Sequence, residues 1–222
     1  KPVIYVAGNH EYYNDHNENS PMDKKNYYFK KWLKSNYPNV TFLQDEYITI
    51  QGVNFFGGTM WTDFDKSNAS AMNYAYSSIN DYKRIWVDRS NYTNHITTLC
   101  PDDTVELHNK FVTKLIEWFE MDLKGARVVI SHHSPIEYSR SLYKESVLKH
   151  AFNSLDMIPI IEQYKPNRWL HGHTHENFIE SIWSTPIESN QRGYPNNSYG
   201  KKFECENFDK YGKVFTIDTQ ES

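Results

Sequence analysis

Three short apolar runs in this chain each end in a cluster of polar side chains able to bind metal. Val3 to Ala7 runs into Gly8-Asn9-His10-Glu11, Arg127 to Ser131 into His132-His133, and Arg168 to Leu170 into His171-Gly172-His173-Thr174-His175. A short β-branched or apolar run bounded by Gly and polar residues reads as a buried strand. Repeating that layout three times demands a sheet whose strands deliver polar groups at their C-terminal ends. Loops there are held by a rigid sheet yet stay open to solvent.

The rest of the chain interleaves helices with further strands. Asp23 to Asn36 carries Tyr27, Tyr28, Lys31, Trp32 and Leu33 at helical spacing, with Pro38 marking its end. Val40 to Leu43, Tyr47 to Ile50 and Val53 to Phe56 read as strands, with Gly52 in the turn between the last two. Asp63 to Arg84 is polar and reads as a long loop with some helix. The clearest helix starts at Asp102 or Thr104 and runs to Lys124, with Val105, Phe111, Val112, Leu115, Ile116, Phe119 and Leu123 on one face and Gly125 as its stop. Ser154 to Tyr164 is a second helix, interrupted by or starting near Pro159. Phe178 to Trp183 and Lys213 to Ile217 look like closing strands around a Gly/Asn/Pro-rich excursion from Pro186 to Phe208. The expectation is one α/β, or α+β layered, domain over residues 1–222.

Composition narrows the function classes. A formal charge of −4 argues against a dominant nucleic-acid or membrane-surface role. Two cysteines, Cys100 and Cys205, make neither a metal cluster nor a disulfide framework and read as free thiols of a reducing compartment. No apolar stretch approaches the roughly 18 residues needed to span a bilayer. Lys1 to Val6 is no signal peptide, since its apolar run is too short and contains a Pro. A cytoplasmic protein without membrane partners is expected. Trp61, Trp86, Trp118, Trp169 and Trp183 read as packing residues, because no basic stripe accompanies them as a base-stacking platform needs. Asn68-Ala69-Ser70 and Asn91-Tyr92-Thr93 fit glycosylation sequons by chance.

The polar clusters carry the chemistry. Gly8 permits a tight exit from its strand, Asn9 offers a neutral carbonyl oxygen, and His10 can carry a proton near neutral pH. Alone, that tetrapeptide is equally an ordinary Asx turn. His132 and His133 are neighbours on a strand and point to opposite faces, so one of them belongs behind the site rather than in it. His171, His173 and His175 alternate, and Gly172 breaks the strand among them. Three alternating imidazoles are hard to explain as core packing, since each buried ring requires a partner; metal ligation by at least two is expected. Asn and His together supply the mixed oxygen and nitrogen donors that borderline divalent metals prefer.

In order and strand context these clusters resemble the calcineurin-like metallophosphoesterases, whose later signatures are G-N-H-[DE], an apolar strand ending in His, and G-H-x-H. The likeness extends to a bacterial and phage-type subgroup through Gly57-Gly58-Thr59-Met60-Trp61-Thr62-Asp63-Phe64, Ile79-Asn80-Asp81-Tyr82-Lys83-Arg84-Ile85, Ser131-His132-His133-Ser134-Pro135, Trp169 to Glu176 and Arg192-Gly193-Tyr194-Pro195. The resemblance implies a β-sandwich of mixed sheets flanked by helices. It also implies two divalent metals (manganese, iron or zinc) and attack on phosphorus by a metal-bound hydroxide. Carried over by motif, Asn9, His132 and His173 bind one metal and His175 the other. His10 contacts the phosphate and protonates the departing oxygen. Glu11 orients His10 by a hydrogen bond, while His133, His171 and Arg192 support the site or meet substrate. Asp81, Tyr82 and Arg84 are candidates for the substrate rim; a surface Asp81–Arg84 ion pair accounts for them equally.

The chain also departs from that pattern. The family's earlier D-x-H and G-D-x-x-D motifs have no counterpart in residues 1–7. Most of one metal shell is present and a single His of the other, with no carboxylate to offset metal charge. An N-terminally truncated domain is expected, its central strands missing and its strand edges unpaired. A separate segment supplying the missing motifs, or a degenerate domain, accounts for the same pattern. The reading is a phosphoric ester hydrolase, phosphatase or phosphodiesterase, acting on a phosphate ester in its complete form. Its rivals are a catalytically incomplete interaction module and a nuclease, the latter disfavoured by the acidic balance.

Overall fold

The computed structural model describes residues 1–15, 20–89, 95–137, 145–194, 204–205 and 207–217. The Asn91-Tyr92-Thr93 sequon, Pro195 and much of the excursion before Phe208 lie outside the described residues. In chain order the elements are β1 (Val3–Val6), α1 (Met22–Asn36), β2 (Val40–Leu43), β3 (Glu46–Ile50), β4 (Val53–Gly58), α2 (Phe64–Ser67), α3 (Ala69–Ser78), α4 (Asp81–Arg84) and β5 (Trp86–Asp88). They continue with β6 (Ile96–Thr98), α5 (Pro101–Glu120), β7 (Ala126–Ser131), α6 (Met157–Tyr164), β8 (Arg168–His171), β9 (Ile179–Ile182) and β10 (Thr185–Ser189).

The main sheet has six strands in the order β3-β4-β7-β8-β10-β9. Its four inner strands run parallel, and β3 and β9 close the edges antiparallel. A parallel interior must be buried on both faces. On one face Phe111, Leu115 and Trp118 of α5 and Ile161 of α6 pack on Phe56, Val129 and Trp169. On the other, Phe55, Val128, Ile130 and Leu170 meet Ile217. Burying each such side chain is worth about 1.5–3 kcal/mol. A second, smaller sheet pairs β1 with β2 in parallel. It closes on the main sheet at Gly57, where a Cβ would lie 2.8 Å from Val6 Cγ1 and 3.3 Å from Leu43 Cβ. The mixed sheet flanked by helices agrees with the expected layered fold.

Register explains why three distant clusters meet. Gly58 of β4 pairs with Ser131 of β7, and Ile130 pairs with Leu170 of β8, so the strands end at one level. The ladder continues past those ends: His132 N–H donates to Gly58 O, His133 N–H to Thr59 O, and Gly172 N–H to His132 O.

Four sequence expectations need correction, the first being that Pro186 to Ser189 belong to β10 rather than to the Gly/Asn/Pro-rich excursion. Residues 63–84 are mostly helical rather than a long loop. Asn68 caps α3 by accepting from Ala71 N–H, and the small Ala71 and Ala75 are buried beneath it. The preceding α2 is a left-handed turn with φ between 51 and 61° from Phe64 to Ser67, a conformation propensity does not foresee. Helix α5 stops at Glu120 rather than at Gly125, because the Arg127 guanidinium donates to Trp118 O and Met121 O and satisfies its last carbonyls. Gly125, at φ 88°, serves the turn into β7 instead. Residues 213–217 are not a strand; they lie over the sheet face, held by Lys213 Nζ on Ser189 O at 2.8 Å and by Phe215 under Arg168.

Candidate metal centre

Asn9, His132 and His173 come from the ends of β1, β7 and β8 and face one another. His132 Nε2 lies 2.9 Å from Asn9 Oδ1 and 3.0 Å from His173 Nδ1. Gly8 makes room for this approach: a Cβ there would sit 2.6 Å from His132 Cε1. His173 reaches His132 by adopting φ 68°, a left-handed conformation uncommon outside glycine. Burial, reinforced by the neighbouring imidazoles, pushes both rings well below the usual histidine pKa. Both are therefore neutral at pH 7 and offer lone pairs.

Those donors suit a divalent ion. Two ligand atoms each about 2.1 Å from a cation and at right angles to one another are about 3.0 Å apart, close to the separations on either side of His132 Nε2. Among the described residues no group of three or more His, Cys, Asp or Glu side chains is arranged to hold an ion. The set is thus two imidazoles and an amide.

Behind it stands Asp81, which with Arg84 also lines the neighbouring cavity; of its two sequence readings only the surface ion pair fails. Asp81 is buried, and its Oδ1 accepts from Asn9 Nδ2 at 2.8 Å and from Tyr13 OH at 2.6 Å. Burial raises its carboxyl pKa against the lowering effect of those bonds. It forms no surface pair with Arg84, which lies 3.6 Å from Asp15 and 4.8 Å over the Tyr13 ring. The signal for burial was the apolar context of Ile79, Tyr82 and Ile85.

The same residues line a cavity of about 710 Å³ together with His10 and His175. The exposed His10 ring stacks on Tyr13 at 4.4 Å, and its Nε2 is 3.2 Å from Tyr194 OH. Glu11 does not hold His10 as expected. Its carboxylate accepts from Gly8 N–H and from Tyr5 OH, both at 2.8 Å, which fixes the loop backbone. His175 Nδ1 lies 2.8 Å from Glu204 Oε2, which also accepts from Tyr194 N–H. Gln191, unnoticed in the sequence, sets the turn around His175 by accepting from its N–H and donating to Thr174 Oγ1 and Glu176 O.

The remaining candidates sit outside this group. His133 is buried with Nδ1 3.1 Å from Thr59 O, and its ring packs 4.2 Å from His173. His171 turns Nδ1 toward Gly172 O at 3.0 Å. Burial lowers the pKa of each to about 4. Arg192 contributes its backbone oxygen to Cys205 N–H. Cys100 and Cys205 are free thiols.

Residues 1–177 match the calcineurin-like phosphoesterase family. The chain belongs to that family. Membership makes it a phosphoesterase-type protein. It is 29% identical over 223 residues to uncharacterized protein L509 of Acanthamoeba polyphaga mimivirus, a match covering 96% of this chain and 72% of that protein. Its fold is similar to that of phosphopantetheinyl hydrolase (PptH) from Mycobacterium tuberculosis, with a TM-score of 0.62 and 14% identity over 87% of this chain and 70% of that one. At that identity the likeness is one of fold. Among the described residues no helix is long and apolar enough to cross a membrane.

Proposed function

We propose that this calcineurin-like phosphoesterase hydrolyses a phosphomonoester or phosphodiester with the aid of a divalent cation, manganese, iron or zinc, held by Asn9, His132 and His173. The observation that carries this is that His132 Nε2 has the Asn9 amide oxygen at 2.9 Å on one side and the His173 ring nitrogen at 3.0 Å on the other. His175, on the wall of the same cavity, is the candidate ligand of a second cation. When bound, such a cation supplies Lewis-acid polarisation of a phosphoryl oxygen.

The chain's own residues supply the proton. His10 Nε2 opens into the cavity beside Tyr194 OH, with its ring braced by Tyr13. Protonated there, it donates to the leaving oxygen as the bond to phosphorus breaks. The free thiols of Cys100 and Cys205 support a reducing compartment, the cytoplasm.

Two variants separate these roles. His10→Asn should slow alkyl esters about 10²–10⁴-fold while sparing nitrophenyl esters, whose leaving groups depart without protonation. His132→Ala should impair both substrates together and weaken manganese binding. Equal losses on both substrates in His10→Asn, restored by excess manganese, would remove the acid assignment. The lack of a carboxylate in the ligand set favours a second reading, a non-catalytic module that uses the fold for interaction. Manganese binding without any turnover, on either ester class, would favour it.

A further inference from the structure

We infer that Asp81 is a positioning residue, which fixes Asn9 with its amide oxygen toward the cation and steadies His10 through Tyr13. The inference rests on the reading that Asn9 holds a cation.

A carboxamide is nearly symmetrical in shape, so packing alone hardly tells its oxygen from its nitrogen. The two ends differ completely in chemistry. With Nδ2 turned toward His132 and His173, Asn9 would present two protons and no lone pair to a cation. Asp81 Oδ1 already takes the Tyr13 hydroxyl proton and so acts as an acceptor, which only the Nδ2 end of Asn9 can face. Asp81 Oδ1 lies 2.8 Å from that nitrogen, which directs Oδ1 of Asn9 at His132 Nε2. The two residues are 72 positions apart, and both are buried.

The same Asp81 oxygen takes the Tyr13 hydroxyl at 2.6 Å, and the Tyr13 ring carries His10 on its face at 4.4 Å. One carboxylate thus sets the ligand amide and the ring against which the proton donor rests. It also places a carboxyl group one residue behind a ligand set that contains none. Outer partners of this kind orient metal ligands, and losing one typically costs about 10–100-fold in metal affinity.

The test is a manganese titration by calorimetry on the full chain, comparing wild type with Asp81→Asn, Asn9→Asp and the double variant. Asp81→Asn should weaken manganese binding about 10–100-fold, because an amide at 81 can donate to Asn9 and allow it to flip. Adding Asn9→Asp to that variant should restore affinity to within a few-fold of wild type. An aspartate at 9 presents oxygen at both ends, and the amide at 81 can donate to one of them. Because an aspartate ligand also adds charge, the gain from Asn9→Asp in the Asp81→Asn background should exceed its gain in the wild-type background, and equal gains would show that Asp81 does not act through Asn9. If Asp81→Asn fails to fold, the double variant, which keeps a hydrogen-bonded pair, carries the comparison. A double variant that folds and binds manganese like wild type supports the inference, and one that folds and does not bind overturns it. Wild-type binding that Asp81→Asn leaves unchanged overturns the role of Asp81 alone. Absence of wild-type binding overturns both this inference and the reading beneath it.

Discussion

The two halves of the cavity are held by different means. Asn9, His132 and His173 leave strands whose register is locked, and main-chain bonds such as Gly172 N–H to His132 O carry that register into the loops. His10 and His175 are held instead by side chains: Tyr13 beneath one, Glu204 beside the other, and Tyr194 touching both. Register is cooperative and stiff, since a one-residue slip would turn every side chain to the other face. Side-chain stacking is local and adjustable. The sheet-held half is therefore the stiffer of the two and the rim the more adjustable.

The largest effect should separate the halves. His173→Ala should lower manganese affinity by more than the roughly 10–100-fold expected for an outer partner, whereas Glu204→Gln should cost at most about tenfold. Calorimetric titration of both variants checks this, and equal losses would erase the distinction.

A second test uses acid. His133 and His171 underlie the sheet-held half, with pKa values lowered by burial to about 4. The unfolded chain binds protons at these sites below about pH 6.5, and the folded chain does so only near 4. Stability is therefore present above 6.5 and lost as pH falls toward 4, by about 2–3 kcal/mol per ring. Urea midpoints of His171→Asn across that range should fall less steeply than those of wild type. Identical slopes would mean that the ring is not buried in its neutral form.

The smallest effect has the opposite sign. Burial raises the Asp45 carboxyl to about 6, beside Gly58 at the end of β4. Here the folded state holds the proton more tightly, so stability falls as pH rises from about 4 to 6. Asp45→Asn should gain about 1–2 kcal/mol at pH 7 after allowance for solvent screening, read as a higher denaturant midpoint. No gain would place Asp45 in a compensating interaction with Lys110.

The sequence by itself determined the layout of strands ending in polar clusters, because alternation and turn chemistry are written in neighbouring residues. Those patterns located β1, β7 and β8, and the resemblance to the calcineurin-like metallophosphoesterases is what put Asn9, His132 and His173 in one group. Helix ends and partners were less legible: Arg127 ends α5 from beyond the helix, and Glu11 binds Gly8 and Tyr5 rather than His10. Only the tertiary structure decided that Asp81 lies behind Asn9, that Glu204 lies beside His175, and that Tyr13 and Tyr194 flank His10. Each of these depends on where a distant backbone passes in space. Local sequence encodes a residue's own conformation and exposure, but which acceptor meets which donor is fixed only when packing brings the elements together.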